Sequence, residues 1–137
     1  MTLVTYTNQR LYSGNRPYSN VTLLGVTPYP SYGYTPYPNV NFWALVDTGA
    51  DYLQLPMSAA LTAGIDLSRG VPKTVHGATG TAALIFVTGI NVEVEGKLVI
   101  VDVFFDPTNS SSALLGRQAL LAAVEAGFNA NEWLWVY

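Results

Sequence analysis

The chain has 137 residues, half of them hydrophobic and only 11% charged, with a net charge of −3. This length suits a single domain with its own core, which we place over residues 1–137. The negative charge and the lack of a Lys/Arg cluster argue against nucleic acid as a partner. With no cysteine there is no disulfide or thiolate chemistry, and one histidine is too few for a metal site.

The sequence shows no evident membrane-spanning segment or export signal. No apolar run reaches the roughly 18 residues that a membrane span needs. The N-terminal residues MTLVTYTNQR lack the apolar core of a signal peptide. The compartment is therefore unknown, with the cytoplasm favoured, and we expect no cofactor.

The first part of the chain predicts short strands joined by loops. Residues 3–6 and 21–26 are predicted strands, and the polar residues 8–20 a loop. The segment 27–39 contains Thr-Pro-Tyr-Pro twice, and its prolines exclude a central strand. We predict a surface loop inserted there, and a docking surface of exposed tyrosine and proline is the alternative.

The stretch that follows joins an apolar strand to an acidic turn. Residues 40–47 predict a buried strand, which ends in the turn Asp47-Thr48-Gly49-Ala50-Asp51. Rigid backbone would hold a carboxylate at such a strand end, as a catalytic acid requires. A strand at 52–55 and a short helix over 56–63 are predicted next, and Gly64 is expected to end that helix.

The second half of the chain predicts a hairpin, more strands and a second helix. Gly77 and Gly80 indicate a β-hairpin with a flexible tip within residues 73–83. Three strands are predicted at 83–88, 91–95 and 97–105, followed by a strand end at 114–116 and a helix over 118–125 that Gly127 ends. Residues 132–137 form a terminal strand that is apolar on both faces, so we expect it to need neighbours on both sides.

Two strings give the chain a family resemblance. LVDTGAD at 45–51 and ALLGR at 113–117 resemble the signature of the retropepsin-like aspartic peptidase family. The resemblance extends over roughly residues 40–137 in the order of elements. It implies an all-β fold, namely a closed β-barrel with a glycine-tipped flap hairpin and one or two short helices, active as a homodimer. The hairpin of residues 73–83 falls where the family has its flap.

The resemblance also implies the catalytic arrangement. An aspartic peptidase needs two facing carboxylates, but Asp-Thr-Gly occurs once in this chain. The dyad would therefore combine Asp47 with its counterpart in a second copy, and the strand 133–137 would pair between the copies. Thr48 would hydrogen-bond across the twofold axis, and Gly49 would let a backbone amide approach the carboxylate. Asp51 would pair with Arg117, in a bidentate clamp.

The remaining predicted site residues would contact the substrate or support the acidic turn. Leu45 and Leu114 would line the subsites nearest the scissile bond, which implies apolar side chains there. His76 is expected to be solvated beside the flap tip and not catalytic. The other substrate-binding residues are Ala50, Asp51, Gly77, Ala78, Thr79 and Gly80, and the supporting residues are Leu115, Gly116 and Arg117.

The predicted function is that of an aspartic endopeptidase acting on peptide or protein substrates. One alternative is a proteolytically silent dimerisation or peptide-binding module on the same fold, because fold alone does not determine function. Another alternative is an adaptor that binds its partners through the Tyr/Pro-rich segment 27–39. The intact Asp-Thr-Gly-Ala sequence favours the enzyme, since a binding module needs no acid at that place.

Overall fold

The computed structural model describes residues 4–27, 36–77, 80–109 and 112–137. Most of these residues lie in strands, with two short α-helices and one turn of 3-10 helix at Leu67–Arg69. In chain order, the elements are β1 (Asn8–Leu11), β2 (Tyr18–Leu23), β3 (Val40–Val46), β4 (Leu53–Pro56), α1 (Met57–Ala63), β5 (Val71–Gly77), β6 (Gly80–Val94), β7 (Lys97–Asp106), β8 (Leu114–Leu115), α2 (Arg117–Ala123), β9 (Glu125–Phe128) and β10 (Glu132–Val136).

Six strands close into a barrel, as the resemblance implied. Their order is β2-β3-β8-β4-β7-β6, and β6 pairs back to β2 with Val21 opposite Val94. β7 lies between β4 and β6 and is therefore central, as its apolar sequence predicted. Among the described strands, β5 pairs with β6 alone, and the two form a hairpin at the edge of the barrel.

A second sheet of three strands, in the order β1-β10-β9, packs against the barrel. Its inner face carries Trp133 and Trp135, which are almost fully buried in the same core as the barrel residues. β10 has β1 on one side and β9 on the other, so both of its edges are used within its own chain. The predicted need for two neighbours is confirmed, but the expected pairing of 133–137 between two copies is wrong.

Local signals predicted several elements correctly. α1 ends at Gly64, whose φ of 76° is the left-handed conformation that favours glycine. The predicted hairpin is present, with Gly77 paired to Gly80, while the tip residues 78 and 79 lie outside the described residues. Most of the Tyr/Pro-rich segment, residues 28–35, also lies outside them.

Other predictions were wrong at element boundaries. Residues 4–6 lie in no strand, and the predicted loop 8–20 contains β1 and the start of β2. The strands predicted at 83–88 and 91–95 are one strand, β6, in which Gly89 occupies an irregularity with a φ of 70°. α2 ends at Ala123, and Gly127 lies in β9, where an added Cβ would come within 2.9 Å of the Tyr6 hydroxyl.

A buried ion pair joins the barrel to the three-stranded sheet. Arg10 of β1 donates from two nitrogens to the two carboxylate oxygens of Glu95, whose side chain is 5% exposed. The guanidinium lies 4.8 Å from the centroid of the Trp43 ring and 5.0 Å from that of Trp135. Ser19 Oγ and the Asn20 amide donate to the same carboxylate, so its charge is well compensated.

Candidate active site

The acidic turn is anchored through backbone hydrogen bonds on both sides of β3. The Val46 amide donates to Pro17 O at 2.9 Å, and the Asp47 amide donates to Leu115 O at 2.9 Å. β3 also runs parallel to β8, with Leu45 opposite Leu114. The acid therefore follows a strand held between two neighbours, which restricts where its side chain can lie.

The Asp47 carboxylate accepts a hydrogen bond within its own turn. The Gly49 amide donates to Asp47 Oδ1 at 3.0 Å, and the Ala50 amide donates to Asp47 O at 3.2 Å. A Cβ at Gly49 would stand 3.2 Å from the same Oδ1, a tight contact. The expected approach of a backbone amide to the carboxylate is thus present.

The segment before and at the start of α2 supports the turn from behind. The Arg117 and Gln118 amides donate to Ala50 O and Asp51 O at 2.9 and 3.0 Å. Arg117 Nη2 also forms the expected ion pair with Asp51 Oδ1, but through this one pair of atoms and not as the predicted bidentate clamp, and both side chains are more than half exposed. A Cβ at Gly116 would lie 2.4 Å from Tyr52 O, so only glycine lets the two backbones pass this closely.

A cavity of about 650 Å³ opens beside the Asp47 carboxylate. The acidic turn forms one side of it, and strand β5 of the hairpin forms another. The lining residues are Asp47, Gly49, Ala50, Asp51, Tyr52, Gln54, Thr74, Val75, His76, Phe104 and Leu114. A volume of this size suits a short stretch of extended peptide or a comparable ligand.

The cavity brings together six of the predicted site residues: Asp47, Gly49, Ala50, Asp51, His76 and Leu114. His76 lies within strand β5 and not in a turn, and it lines the same cavity as the acid; contact with a substrate stays a prediction. Among the described residues, Leu45, Thr48 and Gly80 are not part of the lining, whereas Ala78 and Thr79 lie outside the described residues. Leu115, Gly116 and Arg117 lie behind the turn, as the supporting role requires.

One wall of the cavity is aromatic, which the sequence did not predict. Tyr52 contacts Phe86 and Phe104 edge-on, with ring centroids 5.0 and 5.6 Å away, and the two phenylalanine rings are 4.8 Å apart. Lys73 Nζ lies 4.4 Å from the centroid of Phe86. Tyr52 and Gln54 could have been found from β4 alone, because they alternate with the buried Leu53 and Leu55. Phe104 gave no such signal, because β7 is apolar on both faces.

Two further observations concern metal binding and membrane insertion. Within the described ranges, no group of three or more His, Cys, Asp or Glu side chains is arranged to bind a metal ion. In that same part of the chain, no helix has the length and apolar character to cross a membrane.

The fold and the site define a class of protein. This chain has a six-stranded barrel with an Asp-Thr-Gly turn beside a cavity that strand β5 also lines, as expected for a retropepsin-like aspartic peptidase. The family model for aspartyl proteases matches residues 38–119, from just before β3 into α2. The chain therefore belongs to the retropepsin-like aspartyl protease family. A comparison with curated proteins found no match.

Proposed function

We propose that the chain is an aspartic endopeptidase whose catalytic dyad combines Asp47 of two copies. The observation that carries the proposal is the position of Asp47, at the end of a doubly anchored strand and open to a cavity that the hairpin strand β5 lines. Membership of the aspartyl protease family supports the same chemistry. Because Asp-Thr-Gly occurs once per chain, the second carboxylate is supplied by a second copy.

The chemistry divides the two carboxylates into two roles. Like charges about 3 Å apart cannot both ionise, so the dyad holds one proton between them. The ionised carboxylate takes a proton from a water molecule, whose oxygen attacks the scissile carbonyl carbon. The protonated carboxylate donates to the carbonyl oxygen as its negative charge develops. The proton taken from water then passes to the leaving nitrogen as the carbon–nitrogen bond breaks.

The lining of the cavity supports a preference for apolar side chains at the scissile bond. Leu114 lies beside the acid, and Tyr52 and Phe104 form a continuous aromatic wall next to it. These side chains stabilise a bound apolar side chain by removing its surface from water. Charged side chains at the same place would be desolvated near the carboxylates without a partner.

The test is the substitution Asp47→Asn, assayed on a mixed peptide library with mass-spectrometric detection of products. We expect proteolysis to disappear while the dimer, measured by sedimentation, is retained. Asp66→Asn is the matched control, since Asp66 caps the 3-10 helix away from the cavity and asparagine can cap it too. A wild-type dimer that cleaves nothing in the library would leave the silent binding module as the function.

Mixed dimers test whether the dyad is shared. When an equal amount of Asp47→Asn chain is exchanged into wild-type enzyme, random pairing should reduce total activity to about half. Activity that does not change on mixing would mean that each chain carries a complete site and would refute the shared dyad.

A further inference from the structure

Strand β6 has an interruption in its pairing at the base of the β5–β6 hairpin. Its ladder with β7 shifts register between Val87 and Ile90. Gly89 lies in this gap with a φ of 70°, so its amide is not part of the regular ladder. A backbone amide outside the ladder needs another acceptor, and that acceptor helps to fix the strand at this point.

Side chains hold the gap from two directions. The Gly89 amide donates to Oδ1 of Asp102, on β7, at 3.3 Å. Arg69 Nη2 donates to Thr88 O at 3.0 Å. Because Arg69 lies two residues before β5 and Thr88 belongs to β6, both strands of the hairpin are fastened at its base.

Asp102 is held in turn by α2. Gln118 Oε1 accepts from the Asp102 amide at 2.9 Å, and Gln118 Nε2 donates to Asp102 Oδ2 at 3.0 Å. The backbone amide of the same Gln118 donates to Asp51 O, in the acidic turn, at 3.0 Å. A continuous series of hydrogen bonds therefore runs from Gly89 through Asp102 and Gln118 to the acidic turn.

This series joins two walls of the cavity. One wall is the acidic turn with Asp47, and the other is β5, through Thr74, Val75 and His76. Among the described strands β5 pairs with β6 alone, so its place relative to the acid depends on how the base of β6 is held. Misplacement of reacting groups by about 1 Å can lower a rate about a hundredfold.

We propose that Asp102 and Gln118 are positioning residues of the peptidase, which set the placement of the hairpin relative to the acidic turn. The proposal rests on the proposed function, because it concerns the same cavity. Neither residue lines the cavity, so each acts through the elements that it joins. A merely structural role would lower activity only as stability falls. A positioning role makes activity depend on how donors and acceptors match between the two side chains.

Exchanging the two functional groups tests this match. Gln118→Glu sets a second carboxylate against Asp102 Oδ2, and the like charges repel. Asp102→Asn sets one side-chain amide against another, and rotating the Gln118 amide only turns its Nε2 toward the backbone amide of residue 102. In the double variant, the carboxylate at position 118 accepts from both the backbone and the side-chain amide of residue 102. Gly89 can still donate to the side-chain oxygen there, so every hydrogen bond is restored.

The activity measurement uses one peptide that the wild type cleaves. We expect kcat/KM to fall about tenfold in Gln118→Glu and about threefold in Asp102→Asn, and to return to within about twofold of wild type in the double variant. Urea denaturation should give similar midpoints for all four chains. Gln9→Glu is the control, since Gln9 is exposed on β1 and does not line the cavity, and its kcat/KM should be unchanged.

Three results would overturn the proposal. The first is full activity in both single variants. The second is a double variant as impaired as the two single losses combined, and the third is a loss of activity that follows the urea midpoints.

Hydrogen exchange without substrate separates this proposal from the proposed activity. We expect faster amide exchange in residues 71–76 and 85–90 of Gln118→Glu, and wild-type exchange in the double variant. A chain that cleaves no peptide but shows this pattern would support the connection between hairpin and turn and refute only the peptidase. Equal exchange in all chains, with proteolysis intact, would refute the positioning role and leave the peptidase standing.

Discussion

Among the residues that the structure describes, two arginine–carboxylate pairs differ in burial and in the elements that they join. Arg117 and Asp51 lie at the acidic turn with side chains 52% and 67% exposed, whereas Arg10 and Glu95 are 23% and 5% exposed between the two sheets. Exposed pairs contribute little to stability, while losing one member of a buried pair is costly. We therefore expect the Arg10–Glu95 pair, which belongs to no sequence motif, to contribute more to stability than the Arg117–Asp51 pair of the motif.

The two pairs also differ in the hydrogen bonds and aromatic rings that surround them. Around Glu95 the carboxylate accepts from Arg10, Ser19 and Asn20, and the guanidinium lies between two tryptophans. At Asp51, two backbone amides of α2 donate to carbonyl oxygens of the acidic turn, and the ion pair with Arg117 adds to these hydrogen bonds. The active-site turn would therefore keep its position if the ion pair weakened, whereas the sheet junction would not.

The largest expected effect comes from Glu95→Gln. Neutralising this side chain leaves the half-buried Arg10 without its counter-charge, so we expect unfolding free energy to fall by about 3 kcal/mol. Urea denaturation of the variant and of the wild type measures this difference in unfolding free energy. The control is Glu93→Gln, two residues before Glu95 in strand β6, and its unfolding free energy should change by less than about 0.5 kcal/mol. Equal losses for both would mean that the junction does not depend on this pair.

The next effect tests the aromatic wall. Phe104→Ala removes a ring that lines the cavity and contacts Tyr52 and Phe86, so we expect kcat/KM for peptides with large apolar side chains to fall about tenfold. Leu98→Ala is the control, because Leu98 lies on the same outer face of β7, is 55% exposed, and does not line the cavity. If both variants lost activity equally, the wall would have no role in specificity.

A smaller effect is expected at the exposed pair. Arg117→Lys keeps the charge but loses the planar fork, so we expect a severalfold lower kcat/KM with unfolding free energy changed by less than about 1 kcal/mol. Arg69→Lys, an exposed arginine outside the cavity lining, controls for the substitution itself. A stability loss as large as that of Glu95→Gln would contradict the contrast between the two pairs.

The smallest effect concerns the pH profile. A dyad that works with one shared proton gives a bell-shaped dependence of kcat/KM on pH. Ala50 follows Gly49 beside the carboxylate and has no hydroxyl to donate. In Ala50→Ser the hydroxyl favours the ionised form, so the alkaline limb should move to lower pH. An upward shift of the alkaline limb with serine, measured as kcat/KM against pH for both forms, would refute this reasoning.

Sequence alone was sufficient where the physical cause is local. Gly64 ends α1 because its left-handed backbone conformation suits glycine, and the pair Gly77 and Gly80 flanks the hairpin tip. The acidic turn was predictable for the same reason, since Asp47 and the Gly49 amide that approaches it are two residues apart. At Gly127, the local rule for helix ends was overridden by pairing with β10 and by contact with Tyr6.

The sequence by itself determined the family, the barrel strands around the acidic turn, and the position of the Asp-Thr-Gly turn, because short stretches with strong local constraints encode all three. Only the tertiary structure decided which strands flank β10, which carboxylate is buried, and that Tyr52 and Phe104 share a wall with Asp47. These features depend on residues far apart in the chain, as with Arg10 and Glu95. An exposed and a buried glutamate look alike in sequence, and packing alone distinguishes them.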